Sequence, residues 1–138
     1  AAWRRLGERA RYVPVRHGVP PPALPECSRL FLVDFAYPLE VLDLLRASIE
    51  EVTVIDHHKS AQLALERIQD RPPAFEHNTA TPGIFALFDL EQSGATLSWQ
   101  YFNPESKCPP LLEYVRDRDL WKHELPESRA VNAAIRSY

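Results

Sequence analysis

The chain has 138 residues, of which 45% are hydrophobic and 25% charged, and a formal net charge of −3; this is the size of one domain with apolar residues enough for its own core. No run of about 18 apolar residues occurs, which excludes a spanning helix, and no apolar stretch follows the Ala-Ala-Trp-Arg-Arg start as it would in a signal peptide. The acidic balance gives no general electrostatic reason to bind nucleic acid.

Cys27 and Cys108 match no metal-binding spacing and read as free thiols of a reducing compartment, so a cytoplasmic or organellar-matrix protein is expected. Methionine is absent and the chain opens directly in helix-like sequence, so the expectation is a natural start upstream of Ala1.

Ala1 to Arg9 reads as the end of a helix with Trp3 and Leu6 on one face. Arg11 to Arg16 alternates and predicts a short strand, which Pro14 places at a sheet edge. A proline-rich connection, residues 17–28, follows. Arg29 to Asp34 is an apolar run ending in a carboxylate, the pattern of a strand covered on both faces. Pro38 suits the first turn of a helix to about Ser48, with Leu39, Leu42, Leu45 and Ile49 as its inward stripe. Val52 to Asp56 predicts a second buried strand, again ending in a carboxylate. Ser60 is placed to cap a helix to about Ile68.

Residues 69–82 read as irregular and Gly83 to Asp89 as a strand. Ser93 caps a helix through Phe102, in which Trp99, Tyr101 and Phe102 read as core packing. Pro109 opens a helix to about Asp117, and Ser128 to Arg136 is the last one. The alternation of strand and helix predicts a single α/β domain: a mostly parallel, Rossmann-like sheet with helices on both faces. In such sheets ligands bind beyond the carboxyl ends of the strands, where Asp34 and Asp56 stand.

Asp56-His57-His58 puts a carboxylate and two imidazoles on consecutive residues at the end of an apolar strand. Burying that much polar chemistry is costly unless metal, phosphate or hydrogen bonds compensate it. Consecutive residues leaving a strand point in different directions, so a division is expected: one metal ligand, one orienting group and one group facing a substrate. Carboxylate with imidazole suits Mn²⁺, with Mg²⁺, Co²⁺ and Zn²⁺ as competitors. Two such ions about 3.5–4 Å apart suit in-line attack of an activated water on phosphorus.

Val54 to Lys59 (VIDHHK) resembles the signature of the DHH phosphoesterase family. Phe31-Leu32-Val33-Asp34 resembles the strand that delivers its bridging aspartate, and Ser93-Gly94-Ala95-Thr96 its glycine-containing helix start. Tyr114 to Asp119 resembles its fourth motif, and Asp117 to Trp121 (DRDLW) a stretch carried by one of its subgroups. The resemblance covers nearly the whole chain, in order. It implies a metal-dependent phosphohydrolase that cleaves phosphate esters or phosphoanhydrides with a metal-activated water.

By position, the resemblance implies that Asp34 bridges two Mn²⁺ ions, that His57 ligates one, that His58 faces the phosphate and that Asp56 orients a neighbouring imidazole. Asp117 is the expected fourth-motif ligand, with Asp119 as the alternative. Lys59, Arg116 and Arg118 are candidate phosphate contacts, though each reads better as a solvated surface cation. The implied partners are phosphorylated small molecules, short oligonucleotides or polyphosphate.

The family's first motif, a His followed by two Asp at alternate positions, does not occur in these residues. The expectation is a chain that starts just downstream of that motif, without the family's C-terminal substrate-binding domain, and that alone binds Mn²⁺ weakly and hydrolyses phosphoesters poorly. The alternative is a non-catalytic scaffold of the same fold that binds a nucleotide or a partner. A sheet without its first strand also presents an edge for pairing with a second copy. His17 and His123 read as loop groups.

Overall fold

The computed structural model of the chain describes residues 1–70, Phe75 and residues 80–137. Four parallel strands, β1 (Arg29–Val33), β2 (Glu51–Asp56), β3 (Gln69–Asp70) and β4 (Gly83–Phe88), stand in the order β1-β2-β4-β3. The helices are α1 (Ala2–Leu6), α2 (Leu39–Arg46), α3 (Gln62–Leu65), α4 (Gly94–Phe102), α5 (Pro110–Asp119) and α6 (Ser128–Arg136). The fold is the α/β architecture expected from the alternation of strands and helices.

Period-two alternation divides the strand side chains between two cores. Leu32, Val52, Val54 and Ala86 point to one face, where Leu42 of α2 and Leu65 of α3 cover them. Phe31, Ile55 and Leu87 point to the other, against Leu97, Tyr101 and Phe102 of α4 and Leu6 of α1. All six residues of β2 are buried, because this strand has neighbours on both sides and helices on both faces. Burying each large aliphatic side chain contributes roughly 1.5–3 kcal/mol. At the strand's start, the buried Glu51 carboxylate is held by Arg29 (3.0 Å), the Thr53 hydroxyl (3.2 Å) and the Thr81 amide (2.7 Å).

Three expectations need correction. Arg11 to Arg16 forms no strand; it runs as irregular chain, outside the sheet. Pro14 lacks the N–H that a ladder needs, and alternation without a paired edge makes no strand. Ser60 caps no helix: it lies inside a 3-10 turn, Lys59–Ala61, and the α-helix that follows is only four residues long. Residues 69–82, read as irregular, contain the two-residue strand β3; most of the remainder lies outside the described residues.

The other helix and strand expectations hold within a residue or two at each end, except that the first α-helix stops at Leu6 and Gly7–Arg9 form a 3-10 turn. Ser93 makes a reciprocal capping box with Thr96, each hydroxyl accepting from the other's backbone N–H (3.2 and 3.0 Å). Among the described residues no helix is long and apolar enough to cross a membrane.

Candidate metal centre

The pairing of β1 with β2 sets the site. Val33 stands opposite Ile55, and the Asp34 amide donates to the Ile55 carbonyl at 2.8 Å, so both strands end at the same level. Parallel strands in step thus bring Asp34 alongside Asp56 and the two histidines that follow it. Asp34 then leaves the sheet in the left-handed region, with φ 57°, a conformation that Asp tolerates better than most residues.

Three ligand atoms converge there. One atom each from Asp34, His57 and His58 all lie within 4.8 Å of one another. His57 Nε2 is 3.2 Å from Asp34 Oδ1. Two ligands that share an ion at about 2.0–2.2 Å and at right angles stand roughly 3 Å apart, so this spacing fits neighbouring positions of one coordination shell. Mixed carboxylate and imidazole donors also fit the ion class expected from the sequence.

Gly94, the first residue of α4, makes room for the carboxylate. A methyl group at Gly94 would overlap the Asp34 carboxylate and sit 2.6 Å from Asp34 Cβ. The requirement is space, since the backbone there is ordinary helix start. Desolvation raises the Asp34 carboxyl above its usual value; the nearby His57 and His58 oppose this, and Asp119 and Asp56 add to it.

Asp56 does different work. Its side chain is buried, and its Oδ1 accepts from the His57 amide (2.8 Å) and meets the His58 ring Nδ1 at 2.6 Å. Engaging Nδ1 leaves Nε2 as the free nitrogen of His58 and fixes the ring's orientation. The hydrogen bond to Asp56 holds the His58 imidazole above its ordinary pKa, against the effect of burial and with help from the charges of Asp56, Asp34 and Asp119.

The cluster opens into a cleft of about 820 Å³. Asp34, His57 and His58 from the ends of β1 and β2 line it, as does Asp119 at the end of α5. Arg118, Arg129 and Arg136 line it together with Trp121, His123 and Asn132, which come from the end of α5, the following loop and α6.

Asp117, first choice for a fourth ligand, is committed elsewhere. Its side chain is buried; Oδ1 accepts from the Glu124 amide at 2.9 Å and Oδ2 from the Ser128 hydroxyl. Ser128 first, then the backbone of Glu124 and Leu125, holds this carboxyl below the usual carboxylate range. Asp117 therefore ties α5 to α6 and does not line the cleft, whereas Asp119 does. Lys59 and Arg116 do not line it either: Lys59 is exposed in the 3-10 turn, and Arg116 pairs with Glu113 at 2.8 Å.

His17 packs on Phe35, with ring centroids 4.6 Å apart, and lies 6.1 Å from the His58 ring. His123, read as a loop group, is half-buried in the cleft wall. Sequence reasoning missed Arg129, Asn132 and Arg136 altogether. Their spacing on one helical face was the available signal.

No family model matches the chain, and no solved structure matches it. The chain is similar to "Uncharacterized protein R106" of Acanthamoeba polyphaga mimivirus, at 30% identity over 99 residues, which cover 72% of this chain and 20% of that protein. The chain thus spans about a fifth of the length of that relative.

Proposed function

We propose that the chain carries the metal centre of a DHH-type phosphohydrolase that hydrolyses phosphate esters or phosphoanhydrides with Mn²⁺ as its preferred ion. The observation that carries this reading is the convergence of Asp34, His57 and His58 at the carboxyl edge of a parallel sheet. Asp34 and His57 would hold the ion, together with His58 or water. When bound, the ion supplies Lewis-acid polarisation of a phosphoryl oxygen and a more acidic water. Asp56 orients the His58 ring, and the free Nε2 of His58 can donate to a phosphate oxygen while the ring is protonated. Asp34, Asp119 and the arginines set the charge balance at the mouth. With Nε2 of His58 turned to phosphate, Asp34, His57 and water would complete the shell of one ion; a second needs further oxygen donors, for which Asp119 is the candidate within the cleft.

Hydrolysis of bis(p-nitrophenyl) phosphate by the protein that contains this chain tests the reading. Turnover is expected with Mn²⁺ and not with EDTA, and it disappears in Asp34→Asn. Turnover that survives both EDTA and Asp34→Asn would contradict the assignment. The engagement of Asp117 by Ser128 and Glu124 favours a second reading, a non-catalytic module of the same fold that binds a phosphorylated ligand. Mn²⁺ binding without turnover of any phosphoester would favour that module.

A further inference from the structure

We propose that Arg129 and Arg136 of α6, with Arg118 of α5, form a second anion subsite. It holds a phosphate group of the ligand other than the one at the Asp34–His57–His58 cluster. The inference rests on the phosphohydrolase reading only for what sits at the cluster.

Residues 129, 132 and 136 recur at three- and four-residue steps, so α6 presents Arg129, Asn132 and Arg136 on one face. That face lines the same cleft as the cluster. Arg129 and Arg136 have no ion-pair partner among the described residues, while Arg118 directs Nε and Nη2 (3.3 and 2.9 Å) onto the single Oδ1 of Asp119. Three guanidiniums therefore meet two cleft carboxylates, Asp34 and Asp119, in a chain that is negative as a whole. An excess of positive charge along an open cleft is matched by an anion; planar guanidinium forks suit phosphate in particular.

Asn132 fixes this face in place. Its side-chain amide donates to the carbonyls of Tyr114 and Ser128, both at 2.9 Å, clamping α6 on α5. The Asn132 Oδ1 is buried and has no hydrogen-bond partner among the described residues. The cleft volume lies in the range that encloses a small organic molecule, well beyond a lone phosphate. The ligand class is therefore a molecule with two separated phosphate groups, and a simple monophosphate is a poor ligand.

Calorimetric titration of butane-1,4-bisphosphonate and butylphosphonate, neither of which hydrolyses, tests the subsite. The proteins are wild type and Arg129→Gln/Arg136→Gln, each with Mn²⁺ and with EDTA. Both arginines are exposed, so the fold is expected to survive. With Mn²⁺, wild type binds the bisphosphonate at least about tenfold more tightly than the monophosphonate, and the double variant loses that advantage while holding butylphosphonate within about twofold. Equal affinities in wild type, or an advantage that persists in the variant, would overturn the subsite. The EDTA arm separates the two proposals. Bisphosphonate binding that needs the arginines but is indifferent to Mn²⁺ keeps the subsite and removes the metal reading.

Discussion

The acidic and the basic sides of the cleft are built by different means. Asp34, Asp56, His57 and His58 are placed by backbone: two parallel strands in register end together, and the next residues emerge side by side. The α6 part of the cleft is placed by side chains. Asp117, Ser128 and Asn132 hold α5 to α6, and Arg129 and Arg136 of the helix so held line the cleft. On the proposed metal-centre reading Asp34 is a ligand, whereas Asp117, two residues from the cleft-lining Asp119, holds α5 to α6.

Substituting each carboxylate in turn separates the two roles. Asp34→Asn gives the largest effect on the site. Asn keeps the left-handed backbone but removes the charged ligand, so Mn²⁺ affinity falls by roughly a hundredfold, at or above the loss typical of an outer-shell partner. Chemical denaturation should show stability within about 0.5 kcal/mol of wild type, as for other exposed substitutions. A large loss of stability would mean that Asp34 is structural after all.

Asp117→Ala should do the reverse. Two hydrogen bonds to a charged carboxylate are lost and the Ser128 hydroxyl loses its acceptor, at a cost of about 2–4 kcal/mol measured by urea denaturation. The folded fraction should bind Mn²⁺ as wild type does. The pH dependence follows from the same hydrogen bonds. Because the folded Asp117 carboxyl titrates below its unfolded value, its contribution is complete above the ordinary carboxylate range and is lost as pH falls through that range and below. The wild type should therefore lose more stability than Asp117→Ala on acidification; parallel pH profiles would contradict the assignment.

Gly94→Ala gives the smallest effect on the site. The added methyl would overlap Asp34 as far back as its Cβ, so Asp34 and the start of α4 must move apart, and Mn²⁺ affinity should fall by about tenfold, in the range of an outer-shell change. Unchanged affinity would show that the carboxylate is free to ligate from elsewhere.

The acidic side was legible in the sequence because its logic is local. An apolar run ending in Asp, twice, predicts two strand ends, and Ser93 as a cap predicts the helix start that carries Gly94. The basic side was not legible. Asp117 and Asp119 are two residues apart on one helix, roughly 200° around its axis, so only one of them faces any given side. Which one depends on where Ser128 docks, and that is a tertiary fact. The connection between α5 and α6 holds Trp121, His123 and Glu127 at positive φ, a course that no glycine or Asn-Gly pair announces. Arg11 to Arg16 failed for a related reason: alternation is local, whereas a strand needs a partner edge.

The central claim is that the imidazole beside Asp34 is a metal ligand. Pulsed EPR of bound Mn²⁺ reads this directly, through the hyperfine coupling of a nitrogen bonded to the ion. The account predicts such a coupling in the wild type and its loss or marked weakening in His57→Ala. Bound Mn²⁺ with oxygen ligands alone, or a nitrogen coupling unchanged in His57→Ala, would contradict it.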